Sequence, residues 1–297
     1  MKPALVEMIV LAALLAAPPL HAQRGQRMRD AEGGDEAIEM MARRVRGGDG
    51  QALKRLETGC GMNHFKNCAA LGDLYAKGLG VAQDETRALG YYDKACAGNM
   101  PRACVGQAIL LAAGLGGAKN PAKADALFKQ AAASFQQMCD KNMLLGCTGL
   151  GGMYVAGIGV PKDYARAVPL LKKACDGGQL HGCHQLGQRY AGGEGVKQDY
   201  TQAVALYKKA CDGGNPDGCL SLGVMYSIGQ GVAPNFTSAA TLYQKACDEG
   251  LGKACDDLGM MYSSGRGVAK DPVQGEALTL KACKMGYREA CKEARKN

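Results

Sequence analysis

Apolar residues recur along this chain with the spacing of a helix face and stop at glycines. Cys183, Leu186, Gly187 and Tyr190 fall at i, i+3, i+4 and i+7, which is one side of a helix. The stretch "GGEGV" then breaks the run, because glycine tolerates the positive φ that a helix stop requires. Asp199 stands where a side-chain cap favours the next helix start. Ala203, Leu206, Tyr207, Ala210 and Cys211 repeat the 3–4 spacing, and Gly213 and Gly214 end it. The stretch from Cys219 to Cys255 follows the same order. The predicted unit is a pair of helices with a glycine-marked turn after each.

Cysteine gives this unit its period. The 14 cysteines form seven pairs, each eight residues apart: Cys60/Cys68, Cys96/Cys104, Cys139/Cys147, Cys175/Cys183, Cys211/Cys219, Cys247/Cys255 and Cys283/Cys291. First cysteines of successive pairs are 36 residues apart, with one step of 43. A fixed period of roughly 20–50 residues marks a solenoid. The first cysteine of a pair ends one helix and the second begins the next, so the sulfurs can meet across an αα-hairpin turn. Nearest-neighbour disulfides are the one connectivity that obeys the repeat. Zinc is the alternative, but structural zinc pairs are usually spaced about two to four residues apart. The expected fold is all-α, an α/α superhelical solenoid with one disulfide per hairpin.

The two ends of the chain differ from the repeats. "MKPALVEMIVLAALLAAPPLHAQ" has a positive start, an apolar run from Met8 to Ala17 too short to span a bilayer, and Pro18-Pro19 before Ala22. Residues 1–22 are therefore expected to be a signal peptide, and 23–34 a disordered linker. Residues 35–59 are expected to form a degenerate N-terminal capping hairpin, 60–287 six repeats, and 288–297 a charged C-terminal cap helix. No later segment is apolar enough for a transmembrane anchor. The second repeat is irregular. Gln107, Ala108 and Leu111 stand where other repeats carry Leu, Gly and Tyr, and the helix ending at Cys139 is seven residues longer. Seven residues is about two turns, so the apolar face keeps its phase and the helix should project as a longer arm.

Composition narrows the function. Trp is absent and there are 4 Phe, so Leu, Ala, Tyr, Met and the cystines must fill the core. The 43 glycines are mostly accounted for by two turns per repeat. The cysteine load requires an oxidising compartment, which places the protein in the periplasm or outside the cell. The formal net charge is +8 with a basic C-terminus, and no aromatic-basic platform suggests nucleic acid.

The pattern "LGxxYxxGxGVxxD…A…YxKAC" closely resembles the Sel-1-like repeat, a relative of the tetratricopeptide repeat. It is carried by Leu71-Gly72-Tyr75, Leu150-Gly151-Tyr154, Leu186-Gly187-Tyr190, Leu222-Gly223-Tyr226 and Leu258-Gly259-Tyr262. With the paired cysteines, residues 60–297 are similar to the cysteine-rich secreted subfamily first described from Helicobacter. The resemblance implies an adaptor or assembly protein, or a penicillin-binding protein with weak β-lactamase activity.

The residues themselves supply no hydrolytic machinery. None of Ser134, Ser221, Ser227, Ser238, Ser263 and Ser264 is followed three residues on by Lys, as a serine β-lactamase needs, and no Gly-x-Ser-x-Gly elbow occurs. His181 and His184 share one helix but are read as surface residues, not as metal ligands. No catalytic residue, metal or cofactor is expected. A ligand is expected on the first helices. In tetratricopeptide-like stacks the stripe at −2, +1, +5 and +8 from the second cysteine lines a concave groove. Here that stripe varies in size and charge while the core positions repeat. The groove candidates are Asp73, His181, His184, Gln188, Asp217, Asp256 and Met260. The expected function is a monomeric, exported scaffold that binds a protein or peptide of the cell envelope. Peptidoglycan or β-lactam handling is the alternative.

Overall fold

The computed structural model describes residues 32–293, so the expected leader and residues 23–31 lie outside the described residues. Among the described residues there are fifteen helices and no strand. They fall into two compact units, with the chain dividing between Asp163 and Tyr164. The first unit holds α1 (Glu32–Arg46), α2 (Gly50–Gly61), α3 (Phe65–Lys77), α4 (Glu85–Ala97), α5 (Pro101–Ala113), α6 (Pro121–Asp140) and α7 (Leu144–Ala156). The second holds α8 (Tyr164–Asp176), α9 (Leu180–Gly192), α10 (Tyr200–Asp212), α11 (Pro216–Ile228), α12 (Phe236–Asp248), α13 (Gly252–Ser264), α14 (Pro272–Lys284) and α15 (Arg288–Glu293). Helices α3, α5, α7, α9, α11 and α13 are the first helices of six hairpins. α1 starts at Glu32, so residues 32–34 belong to a helix and not to the expected linker.

All seven cystines join the pairs expected from the spacing. In the first unit they are Cys60–Cys68, Cys96–Cys104 and Cys139–Cys147, with Cα atoms 4.8, 4.6 and 4.6 Å apart. In the second they are Cys175–Cys183, Cys211–Cys219, Cys247–Cys255 and Cys283–Cys291, at 4.5, 4.4, 4.6 and 4.6 Å. Each closes the turn from a second helix into the next first helix. Six of the seven are buried, and Cys283 and Cys291, on the last described helices, are half-buried. Three residues after each first cysteine the chain must enter the left-handed region. Asn63, Asn99 and Asn142 do this in the first unit, and Gly178, Gly214, Gly250 and Gly286 in the second. Asparagine and glycine are the residues that tolerate that conformation best. Closing so short a loop stabilises by about 2.5 kcal/mol in the chain-entropy model.

The other turn is built by hydrogen bonds. The N–H of Asp199 donates to the Tyr190 carbonyl (2.9 Å), and its side chain accepts from the Gln202 N–H (3.0 Å). Asp84, Asn235 and Asp271 repeat both bonds. Within the turn, the second glycine of the Gly-x-Gly touches the start of the preceding second helix or, at α6, its Phe128, whereas Gly80 meets the end of α1. A Cβ on Gly195 (φ +74°) would lie 2.5 Å from the Tyr164 carbonyl oxygen, and one on Gly231 would lie 2.4 Å from that of Tyr200. These glycines set how closely successive hairpins stack.

Packing within a hairpin relies on a glycine facing a ring. A Cβ on Gly187 would lie 2.6 Å from the Tyr207 ring, and Gly223 has the same relation to Tyr243. Thr279 replaces the tyrosine opposite Gly259. The backbones close in accordingly, and the Gly275 carbonyl lies 2.8 Å from where that Cβ would be. In each unit the buried cystines and a leucine three residues on form the inner row, with Leu71 and Leu150 in the first and Leu186, Leu222 and Leu258 in the second. The repeated tyrosines are less buried than that row: Tyr75 is buried, but Tyr190, Tyr226 and Tyr262 are half-buried. A further buried row lies six residues after the second cysteine: Leu74, Leu110, Met153, Arg189, Met225 and Met261. Successive second helices are also tied by charge. Lys209 Nζ donates to the Cys175 carbonyl (2.9 Å) and Lys245 Nζ to that of Cys211 (2.8 Å). Each ammonium satisfies a carbonyl at a helix C-terminus, where the helix dipole favours positive charge.

The second repeat keeps this logic while changing its register. α6 has 20 residues, whereas α4, α8, α10, α12 and α14 each have 13. The glycine turn of the third repeat abuts α6 at Phe128: a Cβ on Gly159 would lie 2.4 Å from its carbonyl oxygen. Counted back from the first cysteine, Phe128 matches Tyr164 and Tyr200, which begin their helices. The seven added residues therefore carry Pro121–Leu127 two turns beyond that contact, as the expected longer arm. They also split one role between two rings. Tyr92 meets both Gly72 of its own hairpin and Gly106 of the next. On α6, Phe135 meets Gly149 of the next hairpin, and Phe128 stands 20 residues after Ala108, the same offset as Tyr92 from Gly72. Both phenylalanines are buried.

Non-reducing peptide mapping should recover seven cystine peptides, each joining cysteines eight residues apart. Free thiols or bonds between different hairpins would contradict the pairing. Gly195→Ala forces a β-carbon into a left-handed position against a carbonyl, so urea unfolding should show a loss of at least about 2 kcal/mol.

Candidate functional site

Polar side chains are few in the interior, and α9 concentrates them. Of the nine buried polar residues in the described chain, four are on this one helix: His181, His184, Gln185 and Arg189. His184 is 4% exposed and reaches the neighbouring first helix, where its Nε2 lies 3.0 Å from Ser221 Oγ on α11. Its ring packs 5.6 Å from Tyr207 and 6.2 Å from His181, centroid to centroid. Its Nδ1 is buried without a hydrogen-bond partner. Burial, reinforced by His181 and then Arg189, pushes the His184 pKa down from its ordinary 6.5 to about 3. The ring is neutral at physiological pH.

Arg189 takes the buried slot six residues after Cys183, which leucine or methionine fills in the other five repeats. Its guanidinium is 2.9 Å from Glu194 Oε2 in the following turn and 5.4 Å from the Tyr164 ring. Tyr164 donates to Glu194 Oε1 (2.9 Å), closing a three-residue network. The arginine's aliphatic stem replaces the apolar side chain, and its charge is met at the edge of the core. Core spacing alone does not reveal Arg189. The signal lies in the aligned repeats, as one cation in a row of leucine and methionine.

The sequence-predicted residues separate into two sets. His181, His184 and Asp256 are buried and shape the contact between helices. This corrects the surface placement expected for the two histidines, which lie where α9 is covered on more than one side. Gln188 and Asp217 are half-buried, and Met260 is 51% exposed. Asp73 is in the first unit and is half-buried. It accepts a hydrogen bond from the Tyr92 hydroxyl (2.6 Å) and faces Arg102 Nη2 at 3.8 Å. Tyr92 is pushed well above the ordinary phenol range by burial and by Asp73. In the second unit the His184–Ser221 contact joins α9 to α11.

A serine beside a histidine invites comparison with a nucleophile–base pair. The geometry supplies the contact but not the base. A ring with a pKa of about 3 holds a proton poorly at neutral pH, and no group orients its Nδ1. No group of three or more His, Cys, Asp or Glu among the described residues could hold a metal ion. No helix among them is long and apolar enough to cross a membrane.

The depressed pKa has a measurable consequence. Unfolded His184 takes up a proton below about pH 6.5, and the folded ring does not until about pH 3. Stability from this residue is complete above pH 6.5 and falls as pH drops, by about 1.4 kcal/mol per unit. Between pH 7 and pH 5 the native chain should lose about 2 kcal/mol more than a His184→Leu variant, measured by urea unfolding. Equal losses would show that His184 is not held neutral.

Comparison with known proteins places this geometry. The Sel1 repeat model matches residues 68–100, 102–134, 144–179, 180–215, 216–251 and 252–287. No curated protein sequence matches. Among solved structures, a Sel1 repeat protein from Oxalobacter formigenes is 25% identical with a TM-score of 0.54, covering 85% of this chain and 97% of that one. A protective antigen present in uropathogenic Escherichia coli strains, displaying an SLR fold, is 25% identical with a TM-score of 0.50. That alignment covers 90% of this chain, which spans 57% of the antigen's length. Cysteine rich protein B of Helicobacter pylori is 33% identical over 45% of this chain and 96% of its own, with a TM-score of 0.37. The repeats matched by sequence are the helix hairpins seen in the structure, and the chain belongs to the Sel1 repeat family.

Proposed function

We propose that this protein is an exported, non-enzymatic scaffold of the periplasm or cell exterior that holds a protein or peptide partner of the cell envelope on its first helices. Sel1 repeats are a protein-interaction fold, and seven disulfides belong to an oxidising, extracytoplasmic environment. What carries the reading is the contrast between a repeated frame and a varied face. Cystines, turn glycines and inner leucines recur from hairpin to hairpin. The accessible first-helix positions change: Gln188 on α9, Asp217, Leu220 and Val224 on α11, and Met260 on α13. An accessible methionine among mixed polar neighbours is typical of an adaptable contact surface. His181, His184 and Asp256 lie beneath this face and set its shape. In the first unit, Asp73 stands at the register of Gln188, Val224 and Met260. The α1–α2 hairpin and α15 act as caps on the stacked repeats, and the chain works as a monomer.

The reading is tested with purified, oxidised protein. Envelope extract captured on the native chain is compared with capture on a Met260→Asp/Val224→Asp variant of unchanged melting temperature. Loss of the same captured species in the variant supports the first-helix face, and undiminished capture refutes it. A chromogenic cephalosporin provides the second arm. Saturable turnover, abolished by one first-helix substitution without loss of stability, would replace the scaffold reading with an enzymatic one.

A further inference from the structure

The seam between second helices is closed in one place and open in another. In the second unit, Lys209 and Lys245 tie each helix to the cysteine carbonyl one repeat earlier. Lys94 on α4 stands at the same position, two residues before its first cysteine. Among the described residues it donates to no carbonyl and faces no carboxylate within ion-pair distance, although the Cys60 residue lies in the same cleft.

That cleft, between α2 and α4, has a volume of about 390 Å³ and is lined mainly by apolar atoms. Gly61 and Gly90 are among the residues that line it, and both are exposed. A Cβ on either would meet nothing within 4 Å. The positions equivalent to Gly90 hold Ala133, Pro169, Ala205, Thr241 and Ala277. Glycine inside a helix is less stable than alanine, and here no close contact requires it. What it leaves is open volume.

The wall is built in advance. The Arg87 guanidinium lies 4.1 Å over the Tyr75 ring and donates to Glu57 Oε1 (3.0 Å). Tyr75 and Tyr91 stack at 5.7 Å. Glu57 also accepts from the Tyr75 hydroxyl (3.3 Å), so its charge is already shared between Arg87 and that phenol. The unmatched charge in the cleft is the Lys94 ammonium.

We propose that this cleft binds an organic monocarboxylate with a short apolar body. The body lies over Gly61 and Gly90 against the Tyr91 ring, and the carboxylate pairs with Lys94 Nζ in place of the missing carbonyl tie. The site uses none of the residues proposed to hold a protein partner, so either assignment can fail alone.

The test titrates 3-phenylpropionate and 3-phenylpropanol into isotopically labelled, oxidised full-length protein and follows the amide signals. The carboxylate should shift Gly61 and Gly90 saturably and bind at least fivefold more tightly than the alcohol. Lys94→Met should bring the carboxylate down to the alcohol's affinity, and Lys94→Arg should restore the preference. Gly90→Leu, which fills the cleft from an exposed helix position, should abolish both titrations while leaving distant signals in place. The proposal is overturned by the absence of saturable shifts, by shifts that survive Gly90→Leu, or by a preference smaller than fivefold.

Discussion

The rest of the structure depends on how closely two backbones approach at the Gly-x-Gly turn. There a glycine in the left-handed region presses against the carbonyl that opens the preceding second helix, as Gly195 does against Tyr164. A β-carbon would collide, so the contact fixes the spacing of hairpins from one end. The cystine fixes it from the other, by holding two Cα atoms less than 5 Å apart across an eight-residue loop. Between these clamps the helices are 13 residues long and have little freedom to slide. Glycines facing Tyr207 and Tyr243, and lysines capping cysteine carbonyls, then fall into register without further adjustment. A solenoid whose units touch only their neighbours needs such local rulers, since no global core exists to correct an error.

The long helix α6 shows what the rulers measure. Seven residues are two turns, so the apolar stripe stays in phase when they are inserted. Each ruler still reads locally. The next hairpin counts from Cys139, bonded to Cys147, and finds Phe135, whereas the preceding first helix counts from its own turn and is offset to Phe128. One tyrosine's work is divided between two phenylalanines. This is the physical reason two of the chain's 4 phenylalanines are on one helix.

Much of this was legible from the sequence because it is one-dimensional. Helices, turns, caps such as Asp199 and the cystine pairing, from Cys60–Cys68 to Cys283–Cys291, all follow from spacing, and the structure reproduces them. What was not legible is how wide the buried face becomes when a helix is covered on more than one side. The core positions 0, +3, +4 and +7 describe a helix packed against one neighbour. Each first helix also touches the previous second helix, and α9 touches the next first helix, α11. The +6 row is therefore buried, and His184 and Asp256, one residue past their cysteines, are buried too. Residues read as facing a groove lie in part between helices, and only Gln188, Asp217 and Met260 of the second-unit candidates keep accessible surface.

The buried polar cluster on α9 bears on function through its cost. An unpartnered imidazole nitrogen is unfavourable in the interior, and so is an arginine in a slot that the other repeats fill with leucine or methionine. The cluster does not repeat in α11 or α13, so the fold does not require it. Ser221 and Tyr207 hold His184 in one orientation, and Glu194 holds Arg189. Within the second unit, the α9 hairpin thus differs from those of α11 and α13, which lack the cluster. An array of near-identical repeats offers a partner several equivalent registers. In the proposed scaffold role, the distinctive α9 hairpin would remove that degeneracy within the second unit, because a ligand shaped to the surface over α9 would fit there in one register.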